Sequence, residues 1–76
     1  MIEGTVRFFN DKKGFGFIKR DDGRDDIFVH VHDVVDETVE ILRIGDRVSF
    51  EEGLDKRRNK PEALKVQLIE ANGGQP

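Results

Sequence analysis

The sequence predicts an all-β domain in which five short strands close into one small antiparallel barrel. Three observations carry this. Five segments alternate apolar and polar residues at the two-residue period of a strand, and the turns between the first three are too short for a crossover helix. A chain of 76 residues cannot build two sheets around a full core. Closing a single sheet on itself removes the edges that an open sheet would expose. No internal repeat complicates the pattern.

Residues 2–10 read as the first strand, with Ile2, Gly4 and Val6 on one parity and Glu3, Thr5 and Arg7 on the other. Strict alternation sends Phe8 inward and Phe9 outward, whereas a bulge at Gly4 resets that parity, so periodicity leaves open which ring faces out. Asn10-Asp11-Lys12-Lys13 has turn chemistry, because Asn and Asp satisfy nearby backbone groups. The second strand spans residues 13–20 and ends at the Asp22-Gly23 turn signal; the third spans residues 26–31. Residues 32–40 read as mostly loop, with Asp33 placed to cap one short helical turn. The run Ile41-Leu42-Arg43-Ile44-Gly45-Asp46 leads into a fourth strand, residues 47–51, with Val48 and Phe50 inward and Arg47, Ser49 and Glu51 outward. Residues 53–61 read as a basic loop. The fifth strand, residues 63–69, puts Leu64, Val66 and Leu68 on one face and Lys65 and Gln67 on the other. One domain therefore covers residues 1–70, and residues 71–76, which lack an apolar pattern, read as a frayed tail.

Two segments carry the chemistry. In Lys13-Gly14-Phe15-Gly16-Phe17-Ile18, strand alternation places Phe15 and Phe17 on one face and Gly16 and Ile18 on the other. In Ile27-Phe28-Val29-His30, Phe28 and His30 share a face opposite Ile27 and Val29. The aliphatic sides close a core, which leaves four rings on a surface with no structural need for them. Gly14 and Gly16, lacking side chains, let a ligand lie close over the strand. Exposed rings edged with Lys and Arg are the physical recipe for stacking single-stranded bases. The competing reading, that the rings are simply core, fits any single Phe better than it fits four rings alternating with glycine and aliphatics.

Composition bounds the partners. Charged residues make up 38% of the chain and hydrophobic ones 36%, the balance of a soluble protein. Without cysteine there is no disulfide framework and no Cys-based zinc site. No stretch has the pattern of a signal peptide or the length of a membrane span, so the expected compartment is the cytoplasm. A net charge of -3 argues against nucleic acid as a partner, but distribution matters more than the sum because fields are screened within about 8–10 Å. Acids cluster at Asp21-Asp22, Asp25-Asp26, Asp36-Glu37 and Glu51-Glu52; bases sit at Arg7, Lys12-Lys13, Lys19-Arg20 and Lys56-Arg57-Arg58-Asn59-Lys60. The last run either extends a nucleic-acid groove or is a solvated hairpin tip balanced by Glu51, Glu52 and Asp55. His30 and His32 suggest metal ligation, but no further His or Cys completes a tetrahedral set. Asp25 and Asp26 point to opposite faces of a strand, a poor arrangement for paired catalytic carboxylates. No activated Ser and no phosphate-cradling Gly loop is present. No cofactor, small-molecule substrate or membrane is expected, and a monomer is favoured.

Gly4-Thr5-Val6-Arg7-Phe8-Phe9-Asn10, Lys13-Gly14-Phe15-Gly16-Phe17-Ile18 and Asp26-Ile27-Phe28-Val29-His30 together resemble the cold-shock domain. Gly45-Asp46-Arg47-Val48-Ser49-Phe50-Glu51 and Pro61-Glu62-Ala63 look like its fourth strand and the entry to its fifth, so the likeness covers roughly residues 1–69. The resemblance implies a five-stranded OB-fold barrel that binds single-stranded RNA or DNA without enzymatic activity, in the manner of an RNA chaperone. Carried over by position, it implies stacking on Phe8, Phe15, Phe17, Phe28 and His30, with Arg7 and Lys13 as flanking cations, and Asp26 and Asn10 addressing base edges. Arg58 and Lys60 join this set if the basic run extends the groove. The chain departs from the family at Phe8, where Trp is usual, and at Val31, where an aromatic is usual. It departs again at Glu37-Thr38-Val39-Glu40, where Val39 stands nearest to a usual Phe. The resemblance would turn Val31 toward the ligand, whereas strict alternation would send it to the core. A reading from another class makes the barrel a protein-interaction module that docks a partner through the same apolar face.

Overall fold

The computed structural model describes residues 1–35 and 41–71. β1 (Ile2–Asn10), β2 (Phe15–Arg20) and β3 (Ile27–His30) form a meander; a single 3-10 turn, Val31–Asp33, follows; β4 (Arg47–Asp55) and β5 (Lys60–Glu70) form a long hairpin. Around the sheet the order is β1-β2-β3-β5-β4, and β4 pairs back onto β1 to close the barrel. Every seam is antiparallel except β3–β5, where Phe28 faces Glu62 and Val29 faces Ala63 in parallel register. This amends the expectation of antiparallel pairing throughout. A closed ring with an odd number of strands cannot alternate direction at every seam, so five strands require a parallel one.

The core consists of Val6, Ile18, Ile27, Val29, Leu42, Val48, Phe50, Ala63 and Val66, with Ile2, Phe9, Val34 and Leu68 packed against it. Leu42 comes from the connection into β4, whereas Ile44 beside it is 63% exposed. The expectation for Phe50 holds: it is the largest fully buried side chain.

Two of the three register irregularities in the described sheet decide which side chains join this core. Val6 faces Ile18 and Phe8 faces Phe17, so Arg7 is an extra residue on β1. The parity flips there, turning Phe8 out to 42% exposure and Phe9 in against the core. The bulge is therefore not at Gly4, which stays in regular register opposite Arg20 and Val48. A Cβ on Gly4 would come within 2.6 Å of Ile18 Cγ2, so close packing explains that glycine. On β5, Ser49 faces Gln67 and Glu51 faces Leu64, with Lys65 left-handed at φ 51°. This second bulge sends Ala63 and Val66 inward and corrects the expectation that Leu64 shares a face with Val66. Leu64 instead lies across Gly53, where a Cβ would strike its Cδ1.

The β4–β5 hairpin is longer than the sequence implied. Residues 53–55 and 60–61, expected in a loop, continue the strands, and only residues 56–59 turn. Asp55 Oδ1 accepts the Arg57 N–H at 3.0 Å, and Asn59 takes the left-handed conformation (φ 54°) that Asn tolerates. The short helical turn after β3 is capped by His30, not by Asp33: His30 Nδ1 accepts the His32 N–H at 3.1 Å. The expectations for residues 37–40, Val39 included, and for tail residues 72–76 lie outside the described residues.

Away from the rings, arginines are consumed by carboxylates. Arg20, only 5% exposed, donates through Nη2 to Asp22 at 2.7 Å and to Glu52 at 2.9 Å, its guanidinium carbon 6.0 Å from the Phe50 ring centre. Arg47 donates to Asp21 at 2.6 Å and to Thr5 Oγ1 at 2.9 Å. These pairs hold the carboxyls of Asp21 and Asp22 below their ordinary range, chiefly through the arginine hydrogen bonds.

Candidate nucleic-acid interface

The β2–β3 register places Phe15 opposite His30 and Phe17 opposite Phe28, so the four rings form one array. All four are half-buried, while Ile18, Ile27 and Val29 on the reverse of the same strands are at most 1% exposed. Phe28 stacks beside Phe15 with centroids 5.8 Å apart and meets Phe17 edge-on at 5.9 Å. The β1 bulge brings Phe8 alongside Phe15 at 6.3 Å. His30 lies 4.6 Å from His32, and its Nδ1, already accepting a backbone N–H, leaves the ring proton on Nε2. The structure thus gathers every aromatic residue of the sequence-derived stacking set.

Arg7, Asp26 and Asn10 are brought near but already have internal partners. Arg7 Nε forms a salt bridge with Asp26 Oδ2 at 2.8 Å, so the residues expected to contact phosphate and base edges are paired with each other. Asn10 Oδ1 accepts the backbone N–H groups of Lys12 and Lys13, both at 3.0 Å, so this oxygen builds the β1–β2 turn. Lys13 is exposed at the mouth of a groove of about 560 Å³ lined also by Phe15, Phe28, His30, Arg57 and Arg58. Lys60 lines a second groove of about 710 Å³, with Phe17, Phe28, Arg24, Arg58 and Pro61.

The glycines do not have the role expected of them. A Cβ on Gly16 would run into the Phe8 carbonyl oxygen and approach Phe9 Cα to 2.8 Å. Gly16 is therefore required by the close approach of β1, on the side away from any ligand. Gly14 is left-handed (φ 75°), its N–H bonded to the Asn10 carbonyl oxygen at 2.8 Å, and serves the turn. Val31 stands on the 3-10 turn beyond the strand, half-buried over Gly14, outside the core cluster that strict alternation assigned it to.

The fate of the basic run was open in the sequence. Arg58 folds back across the face, its guanidinium carbon 3.7 Å from the Phe28 ring centre and its Nε 3.0 Å from Asp55 Oδ2. Of the acids proposed to balance the run, Glu52 belongs to Arg20 and Glu51 lies 3.9 Å from Lys65, leaving Asp55. Sequence reasoning missed Glu62, which faces Phe28 across the parallel seam and lines the first groove. Burial, followed by the charge of Asp33 and a hydrogen bond to it, pushes the Glu62 carboxyl above its ordinary range. The parallel pairing of β5 with β3 is what brings it there, and no local pattern announces that pairing.

Comparison with known proteins agrees with this geometry. The family model described as the 'Cold-shock' DNA-binding domain matches residues 2–69. The chain is 43% identical over 68 residues to a cold shock-like protein, CspA, of Vibrio cholerae, covering 90% of this chain and 94% of that one. It is 39% identical over 69 residues to a probable cold shock protein A of Mycolicibacterium smegmatis, covering 91% of this chain and all of the relative. Among solved structures, "drosophila Unr CSD456" superposes with a TM-score of 0.74 at 25% identity. That match covers 93% of this chain, which spans 27% of the larger one.

Proposed function

This chain belongs to the cold-shock domain family, and from that premise we propose that it binds single-stranded RNA or DNA by stacking unpaired bases on Phe8, Phe15, Phe17, Phe28 and His30. The observation that carries the reading is the two-sidedness of β2 and β3: rings half-exposed on one face, aliphatics fully buried on the other. Stacking on aromatic rings supplies roughly 1–3 kcal/mol per base and tolerates every base, so several platforms offset the unfavourable total charge. Lys13, Arg57 and Lys60 supply local positive charge at the margins of the rings. Asp25, Asp26, Asp55 and Glu62 line the same grooves, so the rings rather than net charge carry the reading. The activity is non-enzymatic and weakly sequence-selective, that of a cytoplasmic, monomeric RNA chaperone holding strands unpaired.

Titration with a labelled single strand and the matching duplex tests this. Stacking needs unpaired bases, so the single strand is expected to bind far more tightly. Affinity is expected to fall with salt at a shallow slope, on the order of -1 to -3, because single strands release about 0.7 counterions per neutralised phosphate and few cations border the rings. Equal binding of duplex and single strand overturns the reading.

A further inference from the structure

Arg58 lies where a base would stack. Its guanidinium covers the Phe28 ring at 3.7 Å, and Asp55 holds it there by a 3.0 Å hydrogen bond. The Phe28–Arg58 stack also lines both grooves of the face, one running past Phe15 and His30 and the other past Phe17 and Lys60. Resting on the stacking reading above, we propose that Arg58 is a displaceable cap: it occupies the Phe28 platform in the free protein, and a bound strand swings it off the ring, joining the two grooves into one path. The side chain is 43% exposed and is anchored by Asp55, itself 18% exposed at the end of β4, with Glu62 close enough to feel its charge. A half-exposed ion pair and a half-exposed cation–π contact together are comparable to one stacked base, so a strand that also stacks on the neighbouring rings takes the platform. Once displaced, the guanidinium keeps its charge and is free to meet a phosphate of the strand that expelled it.

The test uses a short oligothymidylate with an uncharged methylphosphonate backbone, so that loss of a cation does not itself weaken binding. Arg58→Ala is expected to bind this probe roughly two- to fivefold more tightly than the unsubstituted protein, the equivalent of one exposed cation–π contact. In a Phe28→Ala background the same substitution is expected to change nothing. Unchanged or weaker binding by Arg58→Ala overturns the proposal, weaker binding because it would make the guanidinium itself a platform. A second measurement needs no ligand. In the free protein the Arg58 side-chain proton resonances are expected to be shifted upfield by the Phe28 ring, and to return to ordinary positions in Phe28→Ala. Unshifted resonances overturn the cap. If the unsubstituted protein binds neither the methylphosphonate nor the phosphodiester probe, the stacking reading itself falls. If the cap is seen by resonance but Arg58→Ala weakens probe binding, only the displacement falls.

Discussion

The two faces of the β2–β3 pair carry similarly apolar residues to opposite ends. Ile18, Ile27 and Val29 are sealed inside the barrel, and Phe15, Phe17, Phe28 and His30 stand on its surface. Fully burying a Phe is worth about 1.5–3 kcal/mol, and among the described residues the core of this small domain has nine buried hydrophobic side chains. A sequence selected for stability alone would not leave its larger apolar groups half outside. The smaller residues do the holding, and the larger ones are left at the surface, where the stacking proposed above would use them.

The largest expected effect sharpens that contrast from the inside. Phe50→Ala is expected to cost about 3–5 kcal/mol of stability, read from a urea or thermal melt, because its ring is fully buried against the core. Phe17→Ala is expected to cost roughly 1–3 kcal/mol of binding to a single strand and to change stability much less. Comparable melts for the two variants would erase the difference between the faces. Gly16→Ala attacks both faces at once. Its Cβ has no room beside Phe8 and Phe9, so β1 and β2 must part, at a cost of typically 1–3 kcal/mol, and affinity falls as Phe8 leaves Phe15. Val31→Phe extends the ring face past His30; tighter oligonucleotide binding by up to about 1–3 kcal/mol with an unchanged melt is expected, and a lowered melt with unchanged affinity would return Val31 to the core.

The smallest effect concerns acid. The carboxyls of Asp21, Asp22 and Asp55 lie below their ordinary 3.8, each held first by a hydrogen bond from an arginine. Their stabilisation is complete above that value and is lost as pH falls through their folded pKa values. Glu62 has the opposite sign. Its folded pKa lies above 4.5, mainly through burial, so folding penalises its ionised form at neutral pH, and the penalty disappears as pH falls toward 4.5. Melts across pH are expected to show a slight rise in stability before the acid decline, and Glu62→Gln is expected to abolish the rise.

The strand pattern was legible wherever pairing is regular. Alternation in β2 and β3 assigned every ring and every aliphatic to its observed face, because no bulge interrupts their register. It left Phe8 and Phe9 open and misplaced Leu64 for a single reason: an extra residue at Arg7 or Lys65 inverts parity, and neither residue type advertises a bulge. Strict alternation fails at Val31 because the strand ends at His30. Gly4 and Gly16 looked like bulge and ligand signals but answer to crowding by neighbouring strands, which only the folded sheet reveals. The parallel seam was legible in principle, since five strands in a closed ring demand one, but its place between β3 and β5 was not. The position of Arg58 was not legible either. It depends on a hairpin continuing to Asp55 and Lys60, which brings a distant guanidinium back over Phe28.

The parallel seam is also the shortest in the barrel, with only Phe28 opposite Glu62 and Val29 opposite Ala63. Just past β3 a parallel bridge of Val34 to Val66, with the Val35 N–H on the Val66 carbonyl at 2.9 Å, continues the join. The two-pair seam itself is still where the barrel would breathe first, and its amides would exchange with solvent sooner than those of the β1–β2 or β4–β5 pairs. Phe28 belongs to that seam. A base resting on its ring would hold the opening shut, so occupancy of the surface would be recorded as slowed deuterium uptake in Ile27–His30 and along residues 61–64. The barrel would then be most tightly closed when loaded, its weakest join clasped by the molecule it carries.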